Sequence, residues 1–157
     1  MDNINLIVGW KEWIVLPELS IPAIKAKVDT GAATSSLHAF NIEYFKKNGF
    51  KYVKFEVHPL QGNKRINRYC IAPLIDSRYV RSSTGEERIR PVIKTLICIS
   101  NTQWEIELNL TNRDSMGMRM LIGREALAGK MLVNPNHKFL HGKTNTKKIK
   151  ELYRMKI

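Results

Sequence analysis

Between Tyr52 and Pro59 the chain alternates with period two: Val53, Phe55 and Val57 fall on one side, and Lys54, Glu56 and His58 on the other. Successive side chains of a strand point to opposite faces, so this run reads as half-buried β-structure. Short runs of the same kind recur. Leu6–Trp10 and Trp13–Pro17 read as a paired opening hairpin, and Ile21–Val28 as a strand that ends directly on Asp29. Ser35–Phe40 begins another strand, and Ile71–Ile75 is apolar. Residues 41–49 read as a short helix closed by Gly49, or as a loop. The charged stretch Arg78–Ile93 reads as a long hairpin with Gly85 near its tip, and Thr95–Ile99 with Trp104–Leu110 as another, turned at Ser100-Asn101-Thr102. Met120-Leu121-Ile122 stops at Gly123, and Arg124–Lys130 reads as helical. Many short strands separated by frequent turns predict an all-β sandwich or barrel.

One turn carries chemistry. In Val28-Asp29-Thr30-Gly31-Ala32 a strand delivers a carboxylate, Gly31 permits a tight turn and close approach of another chain, and Ala32 keeps the turn small. By itself Asp-Thr-Gly is weak, since an Asp/Gly turn capped by a Thr hydroxyl uses the same residues. Its context is more specific: it follows a strand and leads into Ala33-Thr34-Ser35-Ser36. Two carboxylates about 3 Å apart cannot both ionise near neutrality, so they share a proton. The charged one then acts as base on a water while the protonated one donates to a peptide carbonyl, with a bell-shaped pH dependence on the acidic side of neutral.

Asp29-Thr30-Gly31-Ala32 resembles the active-site turn of retropepsins, and Met120-Leu121-Ile122-Gly123-Arg124-Glu125-Ala126-Leu127 resembles their second signature. The chain is similar in more detail to the RimB-like, retropepsin-fold family often labelled ATP-dependent zinc proteases, which is associated with ribosomal-protein-modifying ATP-grasp ligases. The matching segments are Gly9-Trp10, Leu16-Pro17, Ala26–Ala32, Thr34-Ser35, Leu37-His38-Ala39, Arg81-Ser82-Ser83, Gly85, Arg90–Ile93, Leu108–Arg113 and Met120–Arg124.

The resemblance implies a closed retropepsin-like β-barrel with one short helix after the second signature. It implies Asp29, Thr30 and Gly31 as the catalytic turn, and Ala32, Arg81, Ser82, Gly85 and Arg90 as substrate-binding residues, with a flap in the Arg78–Ile93 hairpin. Gly123 and Arg124 would support the turn from behind. Retroviral members place an acidic residue directly after the turn as partner to that arginine. Here the position is Ala33, so Arg124 is expected to find another carboxylate or main-chain carbonyls. Asp-Thr-Gly occurs once, which excludes a two-lobed monomer and calls for a homodimer.

Charge sets the partner classes. Lys and Arg total 26 against 14 Asp and Glu, a net charge of +12. Such a field attracts polyanions. Arg78, Arg81, Arg88, Arg90, Arg113, Arg119 and Arg124 are expected around the cleft, where they suit an acidic peptide or protein substrate. The family's link to glutamate-adding ligases extends this to glutamate-rich or ribosomal-protein substrates and to an ATP-grasp glutamate ligase as functional partner. The alternative reading is a non-catalytic retropepsin-fold module that binds acidic peptides, RNA or the ribosome.

The zinc of the family label finds no support in the residues. There is no His-Glu-x-x-His, and His137 and His141 sit between Pro135 and Gly142 in a loop-like stretch. His38 reads as a packed strand residue. No phosphate-binding Gly-rich Lys-Ser/Thr loop occurs, so no cofactor is expected. Cys70 and Cys98 sit in apolar runs and read as buried thiols, with a disulfide as the alternative. No basic-then-apolar leader opens the chain and no apolar run spans a bilayer, so a cytoplasmic protein without membrane contact is expected. Residues 1–142 are read as the retropepsin-like domain and 143–157 as a basic C-terminal tail, either a solvated helix or a frayed end.

Overall fold

The computed structural model describes residues 6–81, 85, 87–112, 118–142 and 146–154. Its strands are β1 (Leu6–Val8), β2 (Lys11–Leu16), β3 (Ile21–Asp29), β4 (Ser35–His38), β5 (Phe40–Lys47), β6 (Phe50–Val57), β7 (Arg68–Arg81), β8 (Glu87–Ile99), β9 (Thr102–Thr111), β10 (Met120–Gly123) and β11 (Met131–Val133). Two helices follow late strands, α1 (Arg124–Leu127) and α2 (Thr146–Arg154). Six strands run β2-β3-β10-β4-β9-β8, and the pairing of Val15 with Cys98 joins β2 to β8 and closes them into a barrel. β7, β6 and β5 continue outward from β8 as an antiparallel meander.

Alternation explains the core. In β2 Glu12, Ile14 and Leu16 are buried while Lys11, Trp13 and Val15 are less so. Ile14, Leu16, Ile24, Leu37, Phe55, Ile93, Leu108 and Ile122 meet inside, each almost fully shielded from water. At about 25 cal/mol per Å² of apolar surface this single cluster is the main source of stability.

Three local expectations are corrected. β1 does not pair with β2; it runs parallel to β11, with Leu6 opposite Met131 and Val8 opposite Val133. The reason lies in the link. Neither Gly9 nor Trp10 has the positive φ that a two-residue hairpin turn requires. Gly9 instead lies against the later chain, where a Cβ would stand 2.3 Å from the His137 carbonyl oxygen. Glu12 completes the link. Its fully buried carboxylate accepts from the N–H groups of Gly9 (2.7 Å), Leu140 (3.1 Å) and His141 (3.2 Å).

Residues 41–49 form no helix. They lie largely in β5, which turns into β6 at Asn48 (φ 52°) and Gly49 (φ 80°). Two successive left-handed residues are the signature of a type I′ hairpin, and Asn-Gly is its strongest sequence signal. The helix at 124–130 is only one turn, Arg124–Leu127, ended by Gly129 at φ 75°.

The basic tail contributes α2, whose Ile149 and Tyr153 are buried against Ala23 and Leu60. Arg68 secures it: its Nη2 donates to the Tyr153 carbonyl at 3.1 Å and its guanidinium lies 4.8 Å from that ring centroid. Among the described residues no helix is long and apolar enough to cross a membrane.

Candidate active site

β10 inserts between β3 and β4. It runs parallel to β3, with Ile122 opposite Val28 and Gly123 opposite Asp29, and antiparallel to β4, with Leu121 opposite Ser36. The Asp29–Thr34 turn therefore leaves one neighbour of β10 and returns as the other, and the start of α1 sits directly beneath it. Arg124 N donates to the Ala32 carbonyl at 2.7 Å, and Glu125 N to the Ala33 carbonyl at 3.0 Å. Gly123 N donates to Ser35 Oγ at 2.9 Å. The first main-chain donors of a helix lack intrahelical partners, and here the turn supplies their acceptors.

Gly123 makes this contact sterically possible. A Cβ on it would lie 2.6 Å from the Thr34 carbonyl carbon and 2.9 Å from the Ala33 oxygen. Arg124 settles the question raised by Ala33: its Nη1 donates to the Thr30 carbonyl at 3.0 Å. The guanidinium is solvent-exposed and holds the turn through main chain, so no buried unpaired charge results.

Asp29 itself is half-buried at the strand end, with Thr30 and Gly31 exposed beside it. Its Oδ1 accepts from Gly31 N at 3.1 Å, and its carbonyl from Ala32 N at 3.2 Å. A Cβ at Gly31 would stand 3.2 Å from that same Oδ1. The turn thus fixes the carboxylate's orientation while leaving Gly31 low enough for another chain to approach.

The remaining predicted residues belong to or border the β7–β8 hairpin. Arg81 is the register partner of Glu87 at the end of the β7–β8 ladder, and Gly85 is exposed at φ 86° near the tip. Ser82 and Arg113 lie outside the described residues. Arg90 is buried, and its Nη1 donates to Asn109 Oδ1 at 3.3 Å, the oxygen that also accepts from Ser36 Oγ at 2.9 Å. This Ser36–Asn109–Arg90 network links β4, β9 and β8 behind the turn, and the sequence reading missed it. The one available signal was the hydroxylic run Thr34-Ser35-Ser36, whose two serines hold Gly123 and Asn109.

Two of the arginines expected around the cleft are placed elsewhere. Arg78 is committed to the sheet, 2.7 Å from Asp76 and 3.0 Å from Glu107. The Arg78 hydrogen bond, and after it the Ser77 N–H, holds the Asp76 carboxyl below its ordinary value. Arg119 precedes β10 and so lies at the opposite end of that strand from Gly123. Among the described residues no group of three or more His, Cys, Asp or Glu side chains is placed to hold a metal ion. Both cysteines are free thiols, Cys70 buried and Cys98 half-buried.

A six-stranded closed barrel whose aspartate turn is threaded by a parallel Gly-Arg strand defines a single-lobed acid-protease-type domain. A family model described as RimB-like, "Retropepsin-like aspartic endopeptidase RimB", matches residues 7–144, and the chain belongs to that family. A probable alpha-L-glutamate ligase of Shewanella halifaxensis is 47% identical over 156 residues, 99% of this chain and 34% of that protein. One of Desulfotalea psychrophila is 48% identical over 134 residues, 85% of this chain and 29% of that protein. The chain spans about a third of the length of these curated relatives. The solved structure of Lpg0085 from Legionella pneumophila, a protein of unknown function, is similar with a TM-score of 0.73 and 29% identity, covering 88% of this chain and 99% of that one.

Proposed function

We propose that the chain is a homodimeric aspartic endopeptidase in which Asp29 from each of two copies forms the catalytic dyad. The observation that carries this reading is the fixed carboxylate: Asp29 Oδ1 on the Gly31 N–H, in a turn clamped from below by Gly123 and Arg124. One proton shared between two such carboxylates leaves one to take a proton from water and the other to donate to the scissile carbonyl. Water adds to the carbonyl carbon, the C–N bond then breaks, and the amine leaves with a proton. Thr30 and Gly31 brace the dyad, and Ala32 keeps the floor small. The β7–β8 hairpin with Arg81, Ser82 and Gly85 covers the peptide, and buried Arg90 stiffens its root.

The substrate favoured is an acidic, glutamate-rich peptide. The net charge of +12 supports this, as does similarity to proteins named as alpha-L-glutamate ligases, which makes a glutamate ligase the natural functional partner. The test is cleavage of a peptide library that includes glutamate-rich members, by the unaltered protein and by Asp29→Asn, with sedimentation measured on both. Cleavage lost in Asp29→Asn while both sediment as dimers supports the dyad. Equal cleavage by the two proteins removes Asp29 from the mechanism.

A further inference from the structure

A basic cleft lies away from the aspartate turn, between the turn at residues 61–65, β3 and α2. Its inner part, 240 Å³, is lined by Trp13, Lys25, Gln61, Asn63 and Arg119 among others, and its outer part, 680 Å³, by Lys64, Arg65 and Lys150. Gln61, Asn63 and Arg119 line both parts, so the two are continuous. Among the described residues the lining carries five cations and no carboxylate.

The 61–65 turn is preformed. Asn63 Oδ1 accepts from Arg65 N at 2.9 Å and Ile66 N at 3.4 Å, and Gly62 takes φ 76°. Lys25 lies over the Trp13 ring at 5.3 Å and repels neighbouring Lys11, whose ammonium is held below its ordinary value by burial first and by Lys25 and Lys138 next.

Arg119 is the decisive residue. Its Nε is buried and has no hydrogen-bond partner among the described residues. A buried donor without an acceptor is costly, and a guanidinium edge matches a planar carboxylate in a two-bond fork. Several cations spread along a groove suit a chain of charges better than a single ion. Among the described lining residues Trp13 is the one aromatic side chain, and its face is already covered by Lys25, so these residues offer no free stacking platform of the kind single-stranded nucleic acid uses. Gln61 and Asn63 offer amides to a peptide backbone.

We propose that this cleft is a binding site for an acidic peptide segment, with a carboxylate seated on Arg119 and its neighbours along Lys25, Lys64, Arg65 and Lys150. The site is separate from Asp29: Lys25 precedes it by four residues on β3, about 13 Å at strand rise. The inference shares its ligand class with the peptidase reading but stands if Asp29 proves idle.

The experiment is a calorimetric titration of the full chain with hexaglutamate, hexaglutamine and a six-nucleotide single-stranded RNA, at low and at physiological salt. Proteins compared are the unaltered chain, Arg119→Gln, Lys64→Gln with Lys150→Gln, Asp29→Asn, and Lys46→Gln with Lys47→Gln. The last pair removes equal charge at the opposite end of β6. Thermal melts identify any variant that does not fold, and the exposed Lys64/Lys150 pair carries the test if Arg119→Gln fails.

Hexaglutamate is expected to bind the unaltered protein, Asp29→Asn and the Lys46/Lys47 variant alike, and the cleft variants at least about tenfold more weakly. Hexaglutamine is expected not to bind. Equal weakening by the Lys46/Lys47 control, undiminished binding in the cleft variants, or tighter cleft-dependent binding of RNA would each overturn the proposal. Loss of binding in Asp29→Asn alone would place the peptide at the aspartate turn and overturn the separate site.

Discussion

Arg124 Nη1 donates to the Thr30 carbonyl at 3.0 Å, so the arginine of the second signature grips the aspartate turn by its main chain. Replacing a fork-shaped donor by glutamine or lysine keeps the side chain's stem and loses the reach. Arg124 is exposed, so Arg124→Gln is expected to cost at most about 1 kcal/mol in urea unfolding. Peptide cleavage is expected to fall further, by about tenfold or more, because the proposed Asp29 dyad would lose its positioning. Activity and unfolding measured on the same preparation separate the two effects, and an activity loss no larger than the stability loss would remove the positioning role.

Gly123 is held to a stricter requirement. A methyl group there meets main-chain atoms of Ala33 and Thr34 at under 3 Å, and main chain cannot swing aside as a long side chain can. Gly123→Ala is therefore expected to destabilise by about 2–3 kcal/mol, read from the urea midpoint, and to abolish cleavage. Gly85, which has open space around its Cβ position, serves as the contrast. Its positive φ makes alanine cost only about 1 kcal/mol.

The strands and the aspartate turn were readable because both are local; the runs alone left sandwich or barrel open, and the closed barrel came from the resemblance. Period-two alternation marks β6 and the end of β3, and the two signatures occupy single stretches of chain. What escaped the reading depends on partners distant in sequence. β1 chooses β11, Glu12 caps N–H groups at residues 140 and 141, and Ser36 meets Asn109 across a parallel ladder. No spacing rule predicts these contacts, since barrel closure decides them. The Asn48-Gly49 turn was local too, and was missed because Tyr44 and Phe45 gave no clean alternation across the bulge between Phe40 and Glu43.

Thiol chemistry divides the two cysteines. Cys70 is buried beside the carbonyls of Leu19 and Arg68, and burial pushes its thiol up to about 12. Only the thiolate reacts with iodoacetamide, so at pH 8 Cys70 carries about 10⁻⁴ of its population in reactive form. Cys98 is half-buried and free. One equivalent of label is expected on the native protein, mapped to Cys98 by mass spectrometry, and two after unfolding in urea. Native labelling of Cys70 at the rate of Cys98 would mean that the region around β7 and Leu19 opens readily.

The last prediction concerns α2 and alkaline pH. The Tyr153 hydroxyl donates to the Ala23 carbonyl and the ring is buried, and burial pushes this phenol well above its ordinary 10.0. A folded-state value above the unfolded one means that the unfolded chain releases its proton first as pH rises. The stabilising contribution is thus complete below about pH 10 and is lost progressively above it. Cys70 adds a second contribution of the same sign, lost from about pH 9 upward. Tyr153→Phe is expected to cost about 1–2 kcal/mol at pH 8, because the buried Ala23 oxygen loses its donor. It is also expected to make stability less steep between pH 9 and 11, since phenylalanine cannot ionise. Urea unfolding of the two proteins at half-unit pH steps checks both effects. Parallel pH profiles would show that the phenol is not shielded, and that α2 is not docked through Tyr153 in solution.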